Sequence, residues 1–165
     1  MAAGTKGAEK RLRVLVVRGS FAQLGGAERE LLQLLRNVDQ RWDVGLATLE
    51  FPEHARSLIE GADITVYSLD TPLEWPSGAA AEVLASSSKK TAKAWKDVDI
   101  PFQNYDAVHL SVCPGTLEIL PRIPAGLPVH YHCLEPPRWL YEDLLHRRLD
   151  GTLKRPLWLT NLIFS

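Results

Sequence analysis

The sequence lacks the features that would place it in a disulfide-bonded, nucleic-acid-binding or membrane-spanning class. It has two cysteines in 165 residues, too few for a disulfide framework, so Cys113 and Cys133 are expected to be thiols. Its 19 basic and 20 acidic residues nearly cancel, so no overall field favours a nucleic-acid partner. No apolar run approaches the roughly 18 residues that a membrane-spanning helix needs.

The first residues also lack the apolar core of a secretory signal peptide. Residues 1–11 are mostly small or polar, and we expect them to form a flexible tail. The chain is 45% hydrophobic, which is enough for residues 12–165 to bury one core and form one domain. These observations predict a cytoplasmic protein, attached at most to the inner face of a membrane.

The most informative stretch is RVLVVRGSFAQLGGAE, residues 13–28. Its short run of apolar, mostly β-branched residues, 12–17, predicts a strand buried on both faces of a parallel sheet. Three glycines follow between Arg18 and Gly26, and they allow a tight turn or a close approach of the backbone to a ligand. A helix is then predicted to begin near Gly26, with apolar residues at helical spacing: Ala27, Leu31, Leu34, Leu35 and Val38.

The free N–H groups at such a helix start favour an anion, above all phosphate. The stretch nevertheless lacks the G-x-G-x-x-G spacing of a dinucleotide fingerprint and the Lys-Ser/Thr pair of a Walker A loop. A glycine turn needed only for close packing of strand and helix is the alternative explanation.

Strand and helix patterns alternate along the rest of the chain. Further strands are predicted over residues 42–49, 63–69, 107–112 and 128–133. Helices are predicted over residues 54–61, 79–95 and 116–120, and from Pro137 onward. This alternation predicts an α/β, Rossmann-like domain with a doubly wound, mainly parallel sheet and helices on both faces. In the usual 3-2-1-4-5 strand order, the ends of the first and fourth strands flank the ligand site.

Two stretches resemble the family 4 (group 1) glycosyltransferases of the GT-B fold. The first joins the strand ending in Arg18-Gly19 to GGAE, a leucine-rich helix and WDVGLATLE; the second is VHYHCLEPPRWLYE, residues 129–142. The resemblance implies that residues 12–165 are the N-terminal, acceptor-side half of a GT-B enzyme, whose donor-binding C-terminal domain is absent from this chain. It implies a retaining hexosyl transfer from a nucleotide sugar to a sugar or lipid-linked acceptor, with no metal or other cofactor, and an inactive isolated domain.

The resemblance also implies roles for four residues of these stretches. Gly25 and Gly26 would lie under the diphosphate of the nucleotide-sugar donor. Glu135 and Arg138 would bind the acceptor, and the planar guanidinium of Arg138 suits a phosphate or a carboxylate. An ion pair between Arg138 and a nearby glutamate is the alternative explanation for this arginine.

A catalytic histidine is expected in the second stretch, but the family position is occupied by Leu134 in this chain. His132 lies two residues earlier and would point to the same side of an extended strand, so it is the candidate replacement. A hydrogen-bonded core histidine is the alternative for His132. Two further histidines, His109 and His130, lie on predicted strands, but the sequence assembles no metal-ligand set from them.

The chain has one basic cluster, which consists of Lys89, Lys90, Lys93 and Lys96 next to Trp95. Family members that use lipid-linked acceptors dock on anionic membranes through a basic, aromatic-bearing helix, so the resemblance implies a peripheral membrane contact here. A solvated helix face is the alternative.

Two other functions remain open on the sequence. A non-catalytic α/β binding module of GT-B ancestry is favoured by Leu134, which replaces the family histidine. A free-standing nucleotide-binding enzyme such as a dehydrogenase is disfavoured because the dinucleotide fingerprint is missing.

Overall fold

An all-parallel sheet of five strands is the centre of the part of the chain that the structure describes. Its strands are β1 (Leu12–Ser20), β2 (Trp42–Glu50), β3 (Ile64–Tyr67), β4 (Ala107–Ser111) and β5 (Val129–His132). Their order is β3-β2-β1-β4-β5, so the chain winds outward in both directions from β1. The predicted α/β fold with a doubly wound parallel sheet is confirmed.

This computed structural model describes residues 11–71, 73, 88–111, 115–133, 150, 152, 153 and 158. Several predictions therefore fall outside the described residues: Cys113, Leu134, Glu135, Arg138, the helix from Pro137, residues 79–87 of the helix predicted over 79–95, and residues 1–10 of the tail. None of the described helices is long and apolar enough to cross a bilayer.

Helices cover both faces of the sheet, as predicted. On one face lie α1 (Gly26–Arg36) and α2 (Glu53–Arg56), which a 3-10 turn over Ser57–Ile59 extends. The opposite face is covered by α3 (Ser88–Asp97) and the 3-10 helix Leu117–Arg122. A 3-10 turn over Phe102–Asn104 precedes β4.

The alternation of side chains along β1 divides the core between these two faces. Val14 and Val16 pack toward α1, whereas Leu15 and Val17 pack toward α3. All four are buried, as expected for a central strand covered on both sides. Helix α1 differs from its prediction at two positions: Leu34 is 61% exposed while Leu32 is buried, and Val38 is 37% exposed and lies beyond the helix end at Arg36.

Element boundaries shift by a few residues. Strand β1 continues to Ser20, three residues beyond its predicted end, because Arg18 and Ser20 still pair with Thr48 and Glu50 of β2. The helix predicted over 54–61 is a short α-helix that tightens into a 3-10 turn and stops before Gly61, whose φ is +79°. The short helix predicted over 116–120 is the 3-10 helix Leu117–Arg122.

Gly45 of β2 lies directly against a neighbouring aromatic side chain. The ring of Tyr105 lies over this glycine, and a Cβ built on Gly45 would come within 2.7 Å of the Tyr105 Cζ atom. The Tyr105 hydroxyl is held by the Tyr67 hydroxyl at 2.9 Å, and the two rings meet edge to face. The strand therefore needs a residue without a Cβ at this position.

Candidate functional site

The predicted glycine pair lies at the carboxyl end of β1, where the strand order of the sheet reverses. Gly25 has extended backbone angles, φ −81° and ψ −166°, and α1 begins at Gly26. The described glycines with positive φ are Gly61, Gly115 and Gly126, so a left-handed turn does not require glycine here. A Cβ on Gly26 would meet no heavy atom of the described residues within 4 Å. Neither backbone conformation nor packing against the described residues therefore explains Gly26.

Glu28, in the first turn of α1, organises the start of this helix. Its Oε2 atom accepts a hydrogen bond of 2.8 Å from the backbone N–H of Gly25, and its Oε1 atom is paired with the Arg18 guanidinium. The hydrogen bonds among the described residues do not use the N–H groups of Gly26 and Ala27. These two N–H groups point along the helix start, where they can serve an anionic ligand.

Arg18 is a buried cation beneath the glycine loop. The residue is 3% exposed, and its Nη1 atom donates to Ser111 Oγ of β4 at 3.0 Å. Its guanidinium carbon lies 5.8 Å from the centre of the Phe21 ring. The Nε atom is buried and has no hydrogen-bond partner among the described residues. Because a buried charge needs compensation, the ion pair with Glu28 is the contact that lets Arg18 lie here.

Hydroxyl groups hold the ends of β1, β2 and β4 together beneath this loop. Thr116 Oγ1 accepts a hydrogen bond of 2.9 Å from Gly19 N–H and donates to Ser111 O at 3.3 Å. Thr48, fully buried on β2, donates from Oγ1 to Gly19 O at 3.4 Å. These bonds fix the carboxyl ends of the strands, so the glycine loop stands on a rigid base.

A cluster of three histidines lies on the α1 side of the sheet. Val16 of β1 is level with His109 of β4, which is level with His130 of β5, and His132 is level with Ser111. His109 Nδ1 and His130 Nδ1 are 2.9 Å apart, and the His132 ring lies 5.8 Å from the His109 ring. Alternation along the strands places Arg18 and these rings on one face of the sheet.

His132 is exposed at the end of β5, so the alternative of a core histidine finds no support. Its position leaves the imidazole open to a ligand beside the ends of β1 and β4. Within the described ranges, no three His, Cys, Asp or Glu residues are arranged to hold a metal ion. Cys133, directly after His132, is half-buried.

No local sequence pattern predicts that the three histidines come together. Contact between His109 and His130 depends on the register of β4 against β5, which no local pattern specifies. The pair formed by Arg18 and Glu28 had a weak signal: Arg18 is in phase with Val14 and Val16, and Glu28 stands three residues after Gly25, as in a capping box.

His109 gives the histidine cluster a dependence on pH. Burial lowers the pKa of His109, and the neighbouring His130 and His132 lower it further. Below pH 6.5, the ordinary pKa of a histidine, the unfolded chain therefore binds a proton at His109 more readily than the folded chain does. The free energy of unfolding is therefore unaffected by the protonation of His109 above pH 6.5, and it decreases as the pH falls below 6.5.

We predict that His109→Gln makes stability less dependent on pH below about 6.5, because the substituted side chain takes up no proton on unfolding. Urea unfolding at a series of pH values from about 7 to 5 measures this slope. His54→Gln, at an exposed position on α2 away from the cluster, is the matched control. The same slope for His109→Gln and the unsubstituted chain would contradict the prediction.

The basic helix differs from its prediction in one respect. Lys89, Lys90, Lys93 and Lys96 are all exposed on α3, as a docking face requires. Trp95, however, is fully buried in the core, and its Nε1 atom donates to Gly115 O at 2.6 Å. The expectation of an exposed aromatic on this helix is wrong, because the indole side chain packs under the sheet.

No protein-family model matches the chain, and no curated protein matches it. The likeness to glycosyltransferases thus rests on the two short stretches described above.

Proposed function

We propose that this chain is the acceptor-side domain of a retaining GT-B glycosyltransferase. The observation that carries the proposal is Gly26, a glycine at the start of α1 that neither φ nor packing against the described part of the chain requires. Its missing side chain leaves the backbone open to a ligand at the carboxyl ends of β1 and β4, where ligands of doubly wound sheets bind. The two glycosyltransferase-like stretches support the same function.

In the proposed enzyme, a second domain holds most of the nucleotide sugar and closes it onto this loop. The N–H groups of Gly26 and Ala27 donate hydrogen bonds to the diphosphate, and they stabilise its charge as the glycosidic bond loosens. This stabilisation by backbone dipoles needs no metal ion. The loop is suited to the task because it is held from below and needs no reorganisation during transfer.

His132 would face the transferred sugar, where an imidazole can donate or accept a hydrogen bond at a hydroxyl group. Its exposed position on the same sheet face as Arg18 supports this role. Glu135 and Arg138 follow shortly after His132 in the sequence and are proposed to bind a sugar or lipid-linked acceptor.

We predict that the isolated chain has no transferase activity and binds nucleotide sugars with dissociation constants well above the micromolar range. Most contacts to the base and ribose would belong to the second domain. Calorimetric titration with UDP-, GDP- and ADP-sugars measures this affinity. Micromolar binding of any of them would contradict the proposal and would favour a free-standing nucleotide-binding enzyme.

A non-catalytic binding module of GT-B ancestry is the second candidate, and Leu134 is the observation that favours it. A nonpolar side chain at that position cannot donate a hydrogen bond to a reacting sugar. The two candidates differ in the full-length protein: an enzyme releases nucleoside diphosphate from a donor sugar, whereas a binding module does not.

A peripheral membrane contact through α3 would complete the enzyme if its acceptor is lipid-linked. With Trp95 buried, the four lysines offer charge without an apolar anchor, so the contact would be electrostatic. We predict that the chain co-sediments with anionic vesicles at low salt and is released near physiological ionic strength, where the Debye length is about 8 Å.

A variant with all four lysines changed to glutamine is the control for this prediction. It should stay in the supernatant at every salt concentration, because the attraction to the anionic surface is gone. Equal sedimentation of this variant and the unsubstituted chain would leave α3 as a solvated face.

A further inference from the structure

Glu28 places a negatively charged carboxylate beside the N–H groups that are proposed to bind an anion. One of its oxygens takes the Gly25 N–H, and the other is paired with Arg18. An unpaired carboxylate at this place would repel a phosphate group at the neighbouring N–H groups of Gly26 and Ala27. The pair with Arg18 removes that repulsion.

Arg18 contacts the glycine loop from inside the protein and cannot contact a ligand directly. Its side chain is 4% exposed, so it does not reach a ligand in solvent. Its guanidinium contacts Glu28 on one side and Ser111 on the other, and thereby links the first turn of α1 to the end of β4. Arg18 is consequently a residue that acts through Glu28.

We propose that Arg18 and Glu28 are positioning residues of the diphosphate site, an inference that rests on the proposed function. Glu28 holds the Gly25 backbone so that the next two N–H groups face the ligand. Arg18 fixes the Glu28 carboxylate and cancels its charge, so that the loop accepts an anionic diphosphate. A role in helix capping alone would need the hydrogen bond to Gly25 but no charge on Glu28.

The test follows the backbone amides of Gly25, Gly26 and Ala27 by NMR in the ¹⁵N-labelled chain, with inorganic pyrophosphate as the probe. Three variants are compared: Arg18→Met, Glu28→Gln and the double substitution. Arg13→Met is the matched control, because Arg13 forms a similar pair with Asp106 (3.3 Å) at the start of β1, the opposite end of the strand. Urea unfolding on the same samples reports stability separately.

Charge compensation predicts opposite effects for the two single substitutions. Arg18→Met should weaken pyrophosphate binding about tenfold and speed hydrogen exchange at Gly25, because it leaves Glu28 charged and less restrained. Glu28→Gln should tighten binding several-fold, and the double variant should return to within about threefold of the unsubstituted chain. Arg13→Met should lower stability without changing the affinity.

A role in helix capping alone would instead leave the affinity of Glu28→Gln unchanged, because a glutamine oxygen can still accept the hydrogen bond from Gly25 N–H, and that result would overturn the inference. Unchanged affinity and unchanged Gly25 exchange in Arg18→Met would do the same while leaving the diphosphate site in place. Pyrophosphate that shifts neither Gly26 nor Ala27 in any variant would overturn the diphosphate site itself. If Arg18→Met does not fold, the sign of the change in affinity of Glu28→Gln decides the matter.

Discussion

Replacing Gly45 by alanine is expected to lower the free energy of unfolding by about 2 kcal/mol or more, because the added methyl group overlaps the Tyr105 ring. Gly45 lies in the middle of β2 and pairs with Leu15 and Thr65, so the strand cannot move aside. Tyr105 is held in turn by its hydrogen bond to Tyr67. For a domain of this size, the melting temperature should fall by roughly 4 to 8 °C.

Two controls separate overlap from a general effect of alanine. Gly26→Ala makes the same chemical change where a Cβ meets no heavy atom of the described residues, and it should be neutral or slightly stabilising. In a Tyr105→Ala background, Gly45→Ala should cost less than about 0.5 kcal/mol, because the overlapping ring is gone. An undiminished cost in that background would show that the strand itself, and not the ring, requires glycine at position 45.

The sheet could be predicted because its signals are local. Short apolar runs such as VLVV in β1, alternating with helical patterns such as α1, predict a parallel sheet, and the strand order follows the usual 3-2-1-4-5 order of doubly wound sheets. The ends of the strands were less predictable. Arg18 looked like the start of a loop, yet the pairing of β1 with β2 continues through it, and that pairing is a property of two strands together.

The candidate site shows the same division between local and non-local signals. Gly25 and Gly26 are recognisable from the sequence, since a glycine pair before a leucine-rich helix predicts a tight turn or a close approach of the backbone to a ligand. Trp95 lies among exposed lysines in the sequence, yet its indole side chain packs into the core. Burial of one side chain in a basic helix is decided by which face meets the sheet, and only the fold supplies that information.

Arg18 illustrates why polar networks are harder to predict than cores. The type of a hydrophobic residue already predicts that it is buried. A buried arginine, in contrast, requires a partner whose position depends on the fold. Here the partners come from α1 and β4, ten and 93 residues away along the chain. The pair therefore became visible only when the helix start and two strand ends were placed together.

If the chain is part of the proposed glycosyltransferase, Gly26→Val in the complete protein is expected to reduce turnover far more than stability. The valine side chain would stand where the diphosphate approaches and would remove one or two charged hydrogen bonds, a loss of roughly 2 to 5 kcal/mol in transition-state stabilisation. Because no described atom lies within 4 Å of a Cβ at Gly26, the fold has room for the substitution. The free energy of unfolding should change by less than about 1 kcal/mol.

Turnover and melting temperature are to be measured on the same preparation, with Gly26→Ala as an intermediate step in size. A ligand that approaches the backbone closely should lose affinity progressively from glycine to alanine to valine, since each added methyl group takes more of its space. A scaffold glycine would give the opposite pattern, in which the valine variant keeps its turnover and melts earlier. That pattern would remove Gly26 from the site and leave the N–H groups of α1 without a functional role.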